Sequence, residues 1–172
     1  MSPGATDNAF NSNAYRQTLG GFGTGVALAA AFDRQGRAHG LIVNSLTSVS
    51  LDPPIVLWCL ASASSAFEVY TQCDAFSLNI LGADFEDHVP RFSARGDRII
   101  PDDLIETLST GAPVLTGAVA VLDCTLRSRQ QEGDHEVIFG DVAAFRSAPE
   151  ADALGFFRGR FFTLTGEEEG ER

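Results

Sequence analysis

Short apolar runs punctuated by glycine, proline and charged residues mark this chain as a succession of strands with a few helices between them. Residues 24–32 and 38–45 are two such runs. They are joined by Asp33-Arg34-Gln35-Gly36-Arg37, a polar, glycine-containing connection that predicts a hairpin turn. A strand over 55–60 follows the Pro53-Pro54 pair, which a strand tolerates at its start. Over 75–81, Phe76, Leu78 and Ile80 alternate with Ser77 and Asn79, the pattern of a half-buried strand. Two long strands, 114–129 and 136–145, are expected around the turn Gln131-Glu132-Gly133-Asp134, and a last strand over 156–164 carries four phenylalanines. Helical spacing is confined to 13–19, where Tyr15 and Leu19 share a face, to 65–72, to 84–93 and to a short stretch near 103–108. The second of these opens on Ser65-Ala66-Phe67-Glu68, which has capping-box spacing.

No internal repeat and no linker divides the chain, and strands do not alternate regularly with helices, so a parallel sheet is not expected. The pattern predicts a mainly β protein built as one antiparallel barrel domain over 13–165, with a few peripheral helices. Residues 1–12 are expected to form a flexible arm and 166–172 a disordered acidic tail.

One segment does not read as ordinary strand. Residues 44–50 place five side-chain hydrogen-bonding groups in seven positions, none charged, directly after Leu41-Ile42-Val43 and before Asp52-Pro53-Pro54. Alternation puts Asn44, Leu46, Ser48 and Ser50 on one side and Ser45, Thr47 and Val49 on the other, so both faces are partly polar. An amide, hydroxyls and the N–H groups of an irregular strand end suit a ligand rich in carbonyls, ring nitrogens and hydroxyls, as a flavin is. The competing reading is a Ser/Thr-rich edge strand running into a proline turn. Ser62, Ser64 and Ser65 lie where a strand passes into a helix, a place where free N–H groups accept a phosphate, although Ser65 with Glu68 is equally explained as a cap.

Composition narrows the chemistry. The 172 residues, 44% of them apolar, suffice for one domain. Net charge is −11, and all 12 basic residues are arginine. A Schiff-base lysine, a P-loop lysine and a lysine-rich nucleic-acid face are therefore excluded, and an acidic chain repels polyphosphate at long range. Any phosphate must be held by arginine, hydroxyls or backbone. Cys59, Cys73 and Cys124 form no Cys-x-x-Cys pair, and His39, His88 and His135 have no metal-ligand spacing, so reduced thiols and no metal are expected. No apolar run nears the roughly 20 residues of a membrane span, and the polar first residues lack the features of a secretory signal; a cytoplasmic protein without a membrane or nucleic-acid partner is expected. Gly21-Phe22-Gly23-Thr24-Gly25 follows no strand and has no acidic residue at the ribose-binding offset, so it is not a dinucleotide fingerprint but a tight entry into the first strand.

In chain order, Leu19-Gly20-Gly21-Phe22-Gly23-Thr24-Gly25-Val26, residues 40–54, Gly133-Asp134-His135 and Phe157-Arg158-Gly159-Arg160-Phe161 resemble the flavin reductase-like family, the reductases of two-component flavin-dependent monooxygenases. The resemblance implies an FMN-binding split barrel, an antiparallel and Greek-key-like fold. It also implies hydride transfer from NAD(P)H to FMN or FAD, a homodimer with the site near its interface, and a transient monooxygenase partner. It assigns Asn44, Ser45, Ser48, Val49 and Ser50 to the isoalloxazine edge and ribityl chain. The phosphate end falls to Ser62, Ser64 and Ser65, with Arg91 beside Phe92 as counter-ion. His135 becomes the catalytic candidate facing flavin and nicotinamide, and Arg158 a late contact. Phe161 departs from the tyrosine the family often carries. Because the cofactors carry the difficult chemistry, no nucleophile or catalytic triad is needed. Two other readings use a similar fold: a non-catalytic flavin carrier, and a pyridoxamine-phosphate-oxidase relative, against which the absence of lysine counts.

Overall fold

A computed structural model describes residues 10–93, 98–148 and 150–166. Most of the expected arm and tail lie outside the described residues. Helix α1 (Ser12–Leu19) precedes strands β1 (Thr24–Gly25), β2 (Ala27–Phe32) and β3 (Ala38–Val43), and then the hairpin of β4 (Thr47–Leu51) and β5 (Pro54–Ala61). After α2 (Phe67–Gln72) and β6 (Ala75–Ile80) come a 3-10 helix (Ala83–His88), α3 (Val89–Ser93) and a 3-10 turn (Asp102–Leu104). The chain ends in β7 (Ile105–Thr107), β8 (Pro113–Leu115), β9 (Ala120–Glu132), β10 (His135–Ser147), β11 (Ala153–Phe157) and β12 (Arg160–Leu164).

Among the described residues, seven antiparallel strands form the main sheet in the order β3-β2-β6-β9-β10-β5-β4. Its edge strands, β3 and β4, are consecutive in the chain and joined only by residues 44–46. A backbone link of that length spans at most about 15 Å, so the sheet must roll up until its edges stand side by side. They remain unpaired, and the barrel is split there. At the split, the Ser45 hydroxyl takes over from the main-chain ladder: it accepts from the Cys59 backbone N–H at 2.9 Å, continuing the β4–β5 register beyond Thr47 opposite Leu57.

Every strand of the barrel except β4 contributes to an interior cluster around Trp58, Tyr70, Phe76, Leu78 and Ile138, closed by α2. Tyr70 donates its hydroxyl to the Ala29 carbonyl at 2.6 Å, so its polar tip is not stranded in the core. The other face of β2 and β3 packs Leu28, Ala30 and Ala38 against Phe92 of α3 and against Ile100, Val114 and Leu154. Gly140 shows how tight the interior is, because a Cβ there would stand 2.6 Å from the Phe76 ring.

Several expectations shift. The run 24–32 divides: β1 pairs with β11 in a separate sheet while β2 enters the barrel. The run 114–129 divides into β8 and β9, and 156–164 falls within a hairpin of β11 and β12 turned at Arg158-Gly159, both with positive φ (48° and 78°). That backbone is what a two-residue hairpin turn requires. The helix expected near 103–108 is a 3-10 turn followed by β7, and 84–93 begins as 3-10 and becomes α-helical only at Val89. Helix α2 starts at Phe67 with Ala66 at its N-cap and no side-chain cap, so Ser65 does not form the capping box; Ser64 Oγ instead accepts from the Ala66 N–H, and Glu68 bonds Gln72. The polar side of β6 does not face water either. Ser77 and Asn79 are fully buried beneath β8, with Asn79 donating to the Leu28 carbonyl and accepting from the Leu115 N–H.

Candidate functional site

The link between the edge strands opens onto a cleft of 410 Å³. One wall is Leu41, Ile42, Val43, Asn44 and Ser45, where β3 leaves the sheet; the other is Cys59 and Ala61 of β5 with Ala63, Ser64 and Ser65 beyond it. Ser93, Arg98 and His135 complete the lining. The cleft is therefore a product of the split, since a closed β3–β4 ladder would fill it.

Its two ends differ in electrostatics. Near Asn44 and Ser45 the polar groups are neutral, and Ser45 is held by Cys59. Burial raises the Cys59 thiol, partly offset by its hydrogen bond to Ser45, so it stays protonated and uncharged at neutral pH. At the other end Arg98 is only 5% exposed, and its Nη1 donates to Ser64 Oγ at 3.1 Å. Burial pulls the Arg98 guanidinium down from its usual value, with Tyr70 working in the opposite direction. A buried cation beside hydroxyls favours an anionic ligand, which would offset part of that desolvation.

His135 opens β10, just after the two-residue turn Gly133-Asp134, where Gly133 takes φ 59°. Its Nδ1 lies 2.7 Å from Asp134 Oδ1, and the bond to the His135 ring holds the Asp134 carboxyl below its ordinary value. An Nδ1–H donated to Asp134 leaves Nε2 as the nitrogen available to a ligand. The turn is tied to the β5 end by the Ser62 N–H donating to the Asp134 carbonyl at 2.9 Å and by Gln131 Nε2 donating to Ser62 Oγ at 3.2 Å.

Of the residues singled out in the sequence, the cleft brings together Asn44, Ser45, Ser64, Ser65 and His135. Ser48, Val49 and Ser50 lie along β4, with Ser48 and Val49 exposed at the sheet edge. Ser62 braces the His135 turn and does not line the cleft. Arg91 is exposed, donates to the Ile99 carbonyl at 2.7 Å and lies over the Phe92 ring, while Phe92 is buried in the core. Arg158 stands in the β11–β12 turn, over the Phe157 ring, and lines a different cavity of 550 Å³ with Arg16 and Gln17. Arg98 takes the place expected for Arg91. Its one sequence signal is weak, an arginine leading directly into Ile99-Ile100 in a chain without lysine. Asn44 and Ser45 also line a neighbouring 660 Å³ cavity with Leu19, Phe22 and Thr24, where the Thr24 hydroxyl is buried with no partner among the described residues.

The molecule is thus a rolled antiparallel sheet, split between β3 and β4, with a cleft at the split that is neutral at one end and cationic at the other. Residues 19–165 match the flavin reductase like domain, and the chain belongs to that family. It is 40% identical over 119 residues to the actinorhodin polyketide dimerase of Streptomyces coelicolor, covering 69% of this chain and 67% of that protein. It is 35% identical over 159 residues to a Rhizobium meliloti protein named "Probable flavin reductase", covering 92% of this chain and only half the length of that relative. The reductase subunit HsaB of a flavin-dependent monooxygenase from Rhodococcus jostii is 33% identical over 154 residues, 89% of this chain and 78% of that one. Among solved structures, the NADH:FAD oxidoreductase SgcE6 of Streptomyces globisporus, in complex with NAD and FAD fragments, superposes with a TM-score of 0.81 at 28% identity, covering 92% of this chain and 96% of that one.

Proposed function

We propose that this chain is an NAD(P)H:flavin oxidoreductase that passes reduced flavin to a partner monooxygenase. The observation that carries the reading is the joining of Asn44, Ser45, Ser64, Ser65, His135 and the buried Arg98 in one cleft, in a chain of the flavin reductase like family. The residues present fit the cofactor: neutral donors and acceptors for a heteroaromatic ring at one end, an arginine with a serine for a phosphate at the other. When bound, the flavin supplies the hydride-accepting ring and the nicotinamide supplies the hydride. Asn44 and Ser45 hold and orient the ring edge, Arg98 and Ser64 anchor the phosphate, and His135, fixed by Asp134, presents Nε2 to the ligand. Ser48, Val49 and Ser50 belong to the same reading as an extension of the ring contact along β4.

A homodimer is part of this proposal. Val49 and Leu51 stand exposed on the β4 edge, and Tyr15, Leu19 and Phe22 on and after α1 are exposed as well. A second copy would bury this apolar surface. Replacing Leu51, which is 90% exposed, with Asp is expected to weaken the dimer about tenfold or more by sedimentation, the scale set by burying one leucine side chain.

Anaerobic mixing of the flavin-loaded protein with NADH and with NADPH tests the activity. Prompt loss of the visible flavin absorbance is expected with at least one of them. A protein that binds flavin but leaves it oxidised with both is a carrier, and the reductase assignment fails.

A further inference from the structure

The pleat of β3 turns His39, Leu41 and Val43 to one face. Leu41 and Val43 line the cleft already described, while His39 lines a second cavity, of 230 Å³, between the β2–β3 turn and α2. Ser65 lines both. The second cavity therefore begins where the phosphate end of the first one stops, and the two form consecutive stations along a single strand.

The chemistry changes between the stations. The first offers an arginine and neutral groups. The second adds acceptors: Glu68 and Gln72, one turn apart on α2, with Gln72 Nε2 donating to Glu68 Oε1 at 3.1 Å. Opposite them Asp33 accepts from Arg37 Nε and meets His39 Nε2, both at 2.8 Å, which holds two cationic or donor side chains at the mouth of the turn. A carboxylate is the usual acceptor for a ribose diol, an amide side chain pairs with an adenine edge, and arginine with histidine suits a second phosphate. FMN ends at its phosphate, so a ligand anchored on Arg98 and Ser64 passes Ser65 only if it carries a further nucleotide. FAD is FMN extended by that nucleotide.

We infer that the cavity between α2 and the β2–β3 turn holds the adenylate half of FAD, making FAD the flavin this chain prefers over FMN. The inference rests on the flavin reading above and adds a choice that reading leaves open.

Titration of flavin-stripped protein with FAD and with FMN tests it, using the wild type and the double variant Glu68→Ala/Gln72→Ala, whose side chains are exposed and whose fold is checked by circular dichroism. FAD is expected to bind about tenfold more tightly than FMN, the scale of one or two net hydrogen bonds, and the variant is expected to lose most of that margin with its FMN affinity unchanged. Equal affinities in the wild type, or equal losses for both flavins in the variant, overturn the inference. So does a variant that keeps its FAD margin and shows a raised KM for NADH with FMN as acceptor, which would give the cavity to the hydride donor. Failure of both flavins to bind is a different result, because it removes the flavin reading itself.

Discussion

On β6 and β9, Ser77, Asn79 and Asp123 are withdrawn completely from solvent, and every polar atom of these side chains meets a protein partner. Around the cleft, Ser45, Ser64 and Arg98 are also partly or largely buried, yet they border 410 Å³ of open space. The first set lies on the rolled sheet and the second on the segments that flank its split, and each combines hydroxyls with a charged group. The closed set compensates its own desolvation, pinning β8 and the Thr110 segment to the barrel. The open set also has protein partners, Cys59 for Ser45 and Ser64 for Arg98, but its groups border space that the proposed ligand would occupy. Burial of a polar side chain therefore does not by itself mark function; what differs between the two sets is whether the group borders open space.

If this contrast is right, the two sets respond oppositely to substitution. Asn79→Ala strands the Leu115 N–H and the Leu28 carbonyl and opens a small void, so a loss of about 3 kcal/mol in urea unfolding is expected, with flavin affinity of the folded fraction unchanged. Arg98→Ala should do the reverse, weakening flavin binding on the order of 10- to 100-fold while costing less stability than Asn79→Ala, because hydrogen bonds to charged groups contribute about 1.5–3 kcal/mol. A calorimetric titration in which that variant binds as the wild type does would end the idea of a phosphate anchor. Ser64→Ala removes a neutral partner from the same corner, and a loss of about two- to tenfold in flavin affinity is expected by fluorescence quenching.

The smallest effect concerns Asp33, which belongs to neither set. Burial alone would raise its carboxyl, but the Arg37 N–H, the His39 ring, the Arg37 guanidinium and the Gln35 N–H together hold it far below the ordinary 3.8. Its folded value is the lower one, so the ionised carboxylate stabilises the fold at pH above about 4, and this contribution fades as pH falls toward the folded value. Asp33→Asn is expected to melt below the wild type at pH 7 and to close that gap in acid. A gap independent of pH would assign the difference to packing rather than to charge.

The cysteines follow the same division between closed interior and open cleft. Burial pushes the thiol of the fully buried Cys124 up to about 12 and that of the partly buried Cys73 up to about 11, which keeps both protonated. Cys59 alone of the three borders the cleft, and its backbone is bonded to another cleft residue, Ser45.

How much was legible beforehand varied with the range of the interaction involved. Alternation in 38–45 and 75–81 announced strands because the pleat is a property of consecutive residues. The uncharged run at 44–50 stood out for the same reason, and two of its members, Asn44 and Ser45, do line the cleft. Ser77 and Asn79 misled because alternation separates two faces without saying that β8 covers the second one. Arg91 was the expected anion partner and Arg98 was not singled out, since only packing decides which guanidinium points outward and which is enclosed.

By itself the amino-acid order determined the strand content, the antiparallel class, the exclusion of lysine chemistry and the likeness to flavin reductases, all of which reside in local pattern or composition. Tertiary structure decided where runs of apolar residues change sheets, which polar groups are sealed and which stay open, and that a three-residue link forces two sheet edges together without pairing them. Those outcomes depend on contacts between residues far apart in the chain, whose geometry is set only when the whole sheet rolls up.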